Sequence, residues 1–266
     1  MKKIIFVFAL ILLLAACSEN DADSNNASDE PNQDVEKSSA EIQMENLEEQ
    51  EATAEVNAIE HYQYMDEAIS TETIAVYAEI ENTSETVVDA GRADITYLDS
   101  DGGVISVGDS SITPSYLNPG EVGYVSTEIE GSIDEYENLE EIEIELSPMP
   151  VSKTEVVDFS TRDENFKVDT WGKESADISV TGFLENDTDI DFTEDDTTGA
   201  IGIYDSDDNF IAAESIYMDQ NYSLGANGET SFEFGGGTSL PPIIKDNADH
   251  ANVRAVGIEG MDDVQW

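Results

Sequence analysis

The residues best suited to chemistry in this chain are carboxylates. Asp187, Asp189, Asp191, Glu194, Asp195 and Asp196 put six acids within ten residues. Such a density can collect a divalent cation. A calcium loop, however, needs several oxygens at fixed spacing and usually a late bidentate acid. Asp99-Ser100-Asp101-Gly102-Gly103 and Asp205-Ser206-Asp207-Asp208-Asn209 begin in that way. Counted as EF-hand loops, their last ligand positions fall on Ser110 and Ile216, so both fail. The same residues suit hairpin turns, because Asp, Asn and Gly tolerate positive φ and bond to nearby backbone. A solvated loop is likewise the expectation for the 187–196 run. No metal or cofactor is assigned.

Other catalytic arrangements fare no better. The histidines are His61 and His250, and no Gly-x-Ser-x-Gly elbow exists to pair with either. Acids are so frequent that any carboxylate pair of glycosidase type is uninformative. Gly235-Gly236-Gly237 has no following Lys to make a phosphate cradle. No catalytic residue is assigned, and the chain is expected not to be an enzyme. Core packing accounts for Tyr62, Tyr64, Tyr77, Tyr97, Tyr116 and Tyr124 at strand positions. Trp171, Tyr217 and Tyr222 lie near loops. They are expected to be exposed, where they can stack on sugar rings of a wall polymer.

The chain has 266 residues, 61 acidic and 10 basic, for a formal net charge of −51. Phosphate neutralisation needs clustered Lys and Arg, so nucleic acid is excluded as a partner. Electrostatic attachment to an anionic membrane is excluded for the same reason.

The amino terminus reads MKKIIFVFALILLLAAC. Lys2 and Lys3 precede an uncharged apolar run from Ile4 to Leu14, followed by Leu14-Ala15-Ala16-Cys17. The run is too short to span a membrane, which takes about 20 residues, and suits a secretory signal. Its end resembles a bacterial lipobox. The resemblance implies cleavage after residue 16, a diacylglyceryl group on Cys17 and a lipid-anchored protein on the extracytoplasmic face of the cell membrane. Cys17 is the single cysteine, so disulfides cannot stabilise the exported part.

Residues 17–55 then form an acidic tether. Its first half is Ser, Asn, Asp and Glu, which cannot offset the entropy of ordering; residues 40–52 can form a short acidic helix. From residue 56 the pattern becomes period-2. TIAVYAEIEN (73–82), ADITYLD (93–99), EVGYVSTEIE (121–130) and EIEIEL (141–146) read as half-buried strands. In the last, Ile142, Ile144 and Leu146 face in and the glutamates face out. No segment after residue 60 has convincing helical spacing.

The strand series occurs twice. Glu81-Asn82 matches Glu185-Asn186, and ITYLDSDGGVI (95–105) matches IGIYDSDDNFI (201–211) without a gap. Asn118-Pro119-Gly120-Glu121 aligns with Ala226-Asn227-Gly228-Glu229, and ENLEEIEI (137–144) with ANVRAVGI (251–258). The expected organisation is two homologous modules, 56–149 and 154–264, joined by a short stiff link at Ser147-Pro148-Met149-Pro150. The expected fold is all-β: two tandem immunoglobulin-like sandwiches, with a closed barrel as the alternative.

The repeated motif is Ile95, Tyr97, Leu98 and Asp99 in one copy and Ile201, Ile203, Tyr204 and Asp205 in the other. It resembles the FxLYD domain, an immunoglobulin-like module of prokaryotic lipoproteins; Gram-positive modules with telokin-like folds share related features. The resemblance implies a fold and a surface location, and carries no catalytic site. The resulting expectation is a surface-anchored lipoprotein that interacts with an envelope protein or wall polymer, or acts as a spacer. The alternative is a cation- or small-ligand-binding lipoprotein serving a transporter or sensor. The surface charge suits a high-salt medium.

Overall fold

The computed structural model describes residues 52–66, 71–130, 136–151, 156–171, 175–216, 218, 222–235 and 240–259. The signal segment, Cys17, residues 18–51 of the acidic tether and Tyr217 lie outside the described residues; the last residues expected in the tether, Ala54 and Glu55, instead open β1.

The fold is all-β, built from antiparallel sheets. The first half contains β1 (Ala54–Asp66), β2 (Thr71–Asn82), β3 (Val88–Asp89), β4 (Arg92–Asp99), β5 (Val104–Thr113), β6 (Tyr116–Leu117), β7 (Val122–Glu130), β8 (Leu139–Leu146) and β9 (Met149–Pro150). The hydrogen-bonded orders are β1-β2-β7-β5-β4-β8 and β6-β3-β9. β5 joins β7 only at Ile112 and Thr113. The first order therefore bends into two facing sheets, β1-β2-β7 and β5-β4-β8. Between them lie Ile74, Val76, Ala78, Ile80, Ile95, Tyr97 and Val125.

The second half contains β10 (Val156–Asp158), β11 (Ser160–Trp171), β12 (Ser175–Glu185), β13 (Phe192–Thr193), β14 (Thr197–Tyr204), β15 (Phe210–Ile216), β16 (Ser223–Leu224), β17 (Glu229–Gly235) and β18 (His250–Ile258). Its sheets are β11-β12-β17, β10-β18-β14-β15 and β13-β16. The pairings of β1, β2 and β7 recur in β11, β12 and β17, and those of β5, β4 and β8 in β15, β14 and β18. A bulge recurs too, between Tyr97 and Leu98 in β4 and between Ile203 and Tyr204 in β14.

The register corrects two of the sequence alignments. Asn82 N–H bonds to Glu121 O, and Asn186 N–H to Gly228 O. Gly120 therefore corresponds to Asn227, both with positive φ, and not to Gly228. Ile95 pairs with Ile144 and Ile201 with Val253, so EIEIEL corresponds to HANVRA (250–255). β18 is buried on both faces through Val253, Ala255, Val256, Gly257 and Ile258. Apolar alternation there no longer marks a face and cannot fix the register.

Three further expectations change. Pro242–Asn247 forms a six-residue helix, α1, with Ile244 fully buried. Met149–Pro150 is not a bare link: it pairs with β3, and Val151 N–H bonds to Val87 O. β2 is not half-buried, since every residue from Thr73 to Ala78 is buried. Its even-numbered residues face β4 and β5, and its odd-numbered ones face the second half.

That last fact sets the architecture. Tyr64, Ala75, Tyr77 and Tyr124 share one apolar cluster with Ala200, Phe210, Ile211 and Ala213. The sheets therefore stack in four layers: β5-β4-β8, β1-β2-β7, β10-β18-β14-β15 and β11-β12-β17. The outermost face of β11-β12-β17 carries different residues. By register, Ser179, Thr181 and Ser231 stand where the first half has Ala75, Tyr77 and Tyr124. Phe183 on that face is covered by the Arg162 guanidinium, 4.3 Å from the ring centroid.

Candidate functional site: the seam between the halves and the β17 groove

The repeated motif positions most of the polar chemistry. Asp99 and Asp205 each close a β-hairpin through their own carboxylates. Asp99 Oδ1 accepts from the N–H of Asp101 and Gly103 at 2.9 and 2.7 Å. Asp205 Oδ1 accepts from the N–H of Asp207 and Asn209, both at 2.9 Å. Donation from the Asn209 amide holds the Asp205 carboxyl below the usual carboxylate range. These acids are turn residues, as their spacing predicts.

Asn82 and Asn186 make a second repeated node, each almost fully buried. The Asn82 amide donates to the carbonyls of Thr86 and Leu117, and its oxygen accepts from the N–H and hydroxyl of Ser84. Asn186 does the same with Ile190, Gly225 and Thr188. Each side chain thus satisfies its full bonding capacity inside the core, as buried amides must.

The run from Asp187 to Asp196 does not converge. Asp191 accepts from Ala226 N–H at 2.7 Å. Asp196 accepts from the Thr193 N–H and hydroxyl. Asp187, Asp189 and Asp195 are exposed. Among the described residues no group of three or more His, Cys, Asp or Glu is placed to hold a metal ion.

The motif residues diverge in role between copies. Ile95, Tyr97, Ile201 and Ile203 fill cores, whereas Leu98 is buried on the opposite side of β4. Tyr204, at the position of Leu98, reaches across the seam. Its hydroxyl donates to Glu79 and lies 3.1 Å from the Tyr124 hydroxyl. Burial, with Tyr124 and Glu79 close by, pushes the Tyr204 pKa far up. Tyr204 also stacks on His250, which explains that histidine as a packing group. Gly202 lies under Tyr124: a Cβ there would come within 2.5 Å of the ring.

Gly202→Val is therefore expected to destabilise the chain by about 2–3 kcal/mol through overpacking, read from urea unfolding midpoints. Thr96→Val, at the corresponding and half-exposed position of β4, should change little. Equal effects at the two positions would contradict the seam geometry.

The ends of the seam are polar. Arg254, 12% exposed, ion-pairs with Glu121 of the first half and Asp158 of β10. The Asn118 amide also donates to Asp158, and the Tyr62 hydroxyl donates to Ile211 O at 3.0 Å. This seam was missed in the sequence because its tyrosines carry the same alternation as core residues.

A groove of about 710 Å³ lies on the far sheet, lined by Asp163, Thr181, Phe183, Met218, Tyr222, Phe232, Glu233 and Phe234. Tyr222 is not an exposed aromatic. It is half-buried, and its hydroxyl is out of contact with water and without a partner among the described residues. Burial raises its pKa. Trp171 lies at the end of β11, paired with Ser175.

No protein-family model matches the chain, and no curated protein matches it. Among solved structures, red sea bream transglutaminase aligns with 78% of this chain at 12% identity and a TM-score of 0.22. This chain spans only 30% of that protein's length. An oxalate decarboxylase, solved for the chemical basis of a reaction specificity switch, aligns with 79% of this chain and 75% of its own at 9% identity, with a TM-score of 0.12. Likenesses this slight carry no functional argument.

Proposed function

We propose that this is a lipid-anchored, non-enzymatic lipoprotein presenting two immunoglobulin-like modules, 56–149 and 154–264, as an interaction or spacer unit at the cell envelope. The observation that carries the reading is the lipobox-like Leu14-Ala15-Ala16-Cys17 behind a short apolar run. A lipidated Cys17 with two or more acyl chains anchors durably. The recurrence of strand order, bulge and buried Asn supports the two-module, FxLYD-like part of the reading. The engagement of Asp99, Asp205, Asp191 and Asp196 in turn hydrogen bonds supports the non-enzymatic part.

The test is Cys17→Ser. The wild-type protein should fractionate with membranes and take up labelled palmitate; the variant should lose the label and leave the membrane. Unchanged fractionation would overturn the anchor. Crosslinking in the native envelope, followed by retention on wall polymer, then identifies what the modules touch. The β17 groove, with its unpaired Tyr222 hydroxyl, favours a second reading in which the far module takes a small ligand with an aromatic face and a hydrogen-bonding group.

A further inference from the structure

The sheet β5-β4-β8 has two edges, and they are built differently. Along β8 the glutamates Glu140, Glu141, Glu143 and Glu145 are all exposed. Charge along an edge is a standard guard against pairing with another chain. β5 has no such guard. Between Gly102 and Gly120 the sequence contains one acid, Asp109, and it is ion-paired with Arg92 on β4. This is a strongly charge-depleted stretch in a chain with 61 acids. On the side away from β4, β5 pairs only at Ile112 and Thr113, so among the described residues Val104–Ser111 is a free edge. Val104 and Val107 on it are 64% and 70% exposed. The bulge brings them to one face, opposite Leu98 and Thr96. Their counterparts in the second half, Phe210 and Ala213, are buried against the first half's sheet.

We propose that the free edge of β5 is a homodimer interface, in which β5 strands of two copies pair antiparallel and continue the β8-β4-β5 sheet across a two-fold axis. Antiparallel pairing of identical strands is self-complementary, as an isologous contact must be. It sets Val104 and Val107 of one copy beside those of the other. Charge selects a second copy as the occupant. Two molecules of net charge −51 repel wherever acid meets acid, and this edge is where the acids are missing. Each copy also brings the Arg92–Asp109 ion pair and the exposed Asp94 opposite Asp109, so the contact carries one net negative charge per copy. The remaining long-range repulsion makes the dimer salt-dependent.

The test is the mass of the full chain by sedimentation equilibrium across protein concentration, in low salt and in about 1 M NaCl, where the Debye length is about 3 Å. A dimer is expected at high salt, shifting toward monomer as salt falls. Val104→Asp combined with Val107→Asp should give monomer at every salt, with an unchanged far-ultraviolet spectrum. Hydrogen exchange on the wild-type chain is independent of any folding defect in that variant. Those amides of Val104–Ser111 that point away from β4 should become protected as protein concentration rises. A monomer under all conditions overturns the proposal. So does a dimer that survives both substitutions, or one in which the β5 amides exchange as fast as in the monomer.

Discussion

Replacing Arg254 with methionine is expected to lower the stability of the chain by about 3 kcal/mol. Removing one partner of a buried pair costs about 3–5 kcal/mol because it strands the other charge; here both carboxylates are about one-third exposed, which places the effect at the low end. Arg254 sits on β18 and holds Glu121 from the first half and Asp158 from the second. Burial pulls its pKa down to about 10, which leaves it charged at neutral pH. Without it, the two carboxylates are left unpaired at the seam and repel each other. Methionine keeps most of the side-chain volume, so the loss reports charge rather than packing. Urea unfolding measures it. Adding Glu121→Gln and Asp158→Asn should restore most of the stability, because a neutral cluster has no stranded charge. Failure of the triple variant to recover would show that Arg254 acts through packing.

The second large effect is expected from salt. The melting temperature should rise by on the order of 10 °C between about 10 mM and 2 M NaCl, which for a chain this size is several kcal/mol. Residues 18–60 hold 14 of the 61 acids, so most of the excess lies on the folded part. All three arginines there are already committed: Arg92 to Asp109, Arg162 to Glu185, Glu229 and Asp163, and Arg254 across the seam. The remaining acids repel one another in dilute buffer, and that repulsion favours the expanded chain. Salt screens it. Calorimetry at the two salts, with a non-ionic osmolyte as control, separates screening from general preferential exclusion. Equal or greater stability at low salt would refute the reading of the charge as an adaptation to a saline medium.

Both effects depend on features of unequal visibility in the sequence. β8 was fully legible: Ile142 is buried, Ile144 and Leu146 are partly so, and the glutamates are exposed. Asp99 and Asp205 were legible as turn residues because an Asx turn is a local event, decided within four residues. The seam was not. Alternation distinguishes the two faces of a strand only when one of them meets water, and in β2 and β18 neither does. Tyr77 and Tyr124 read as core residues, and they are core residues, but of the interface between halves rather than of either sandwich. Arg254 gave no signal at all, since a lone Arg in a strand says nothing about two acids remote in sequence. Tyr222 failed for a related reason: it packs against the core cluster that holds Phe232 and Phe234 and lines the same groove, a proximity set by tertiary structure.

The polar outer face of β11-β12-β17 decides whether this way of packing can spread. The seam joins unlike surfaces, the β1-β2-β7 type of sheet against the β14-β15 type. A contact between unlike surfaces, repeated from molecule to molecule, generates a ring if the rotation closes and an open filament if it does not. At the far end of the stack the places of Ala75, Tyr77 and Tyr124 are taken by Ser179, Thr181 and Ser231, and Phe183 lies under the Arg162 guanidinium. A neighbouring molecule bringing its own β4 and β5 there meets hydroxyl side chains where the seam has tyrosines. Termination is thus written into four side chains of the last layer, and the chain can carry a heterologous interface internally while remaining a closed, finite particle.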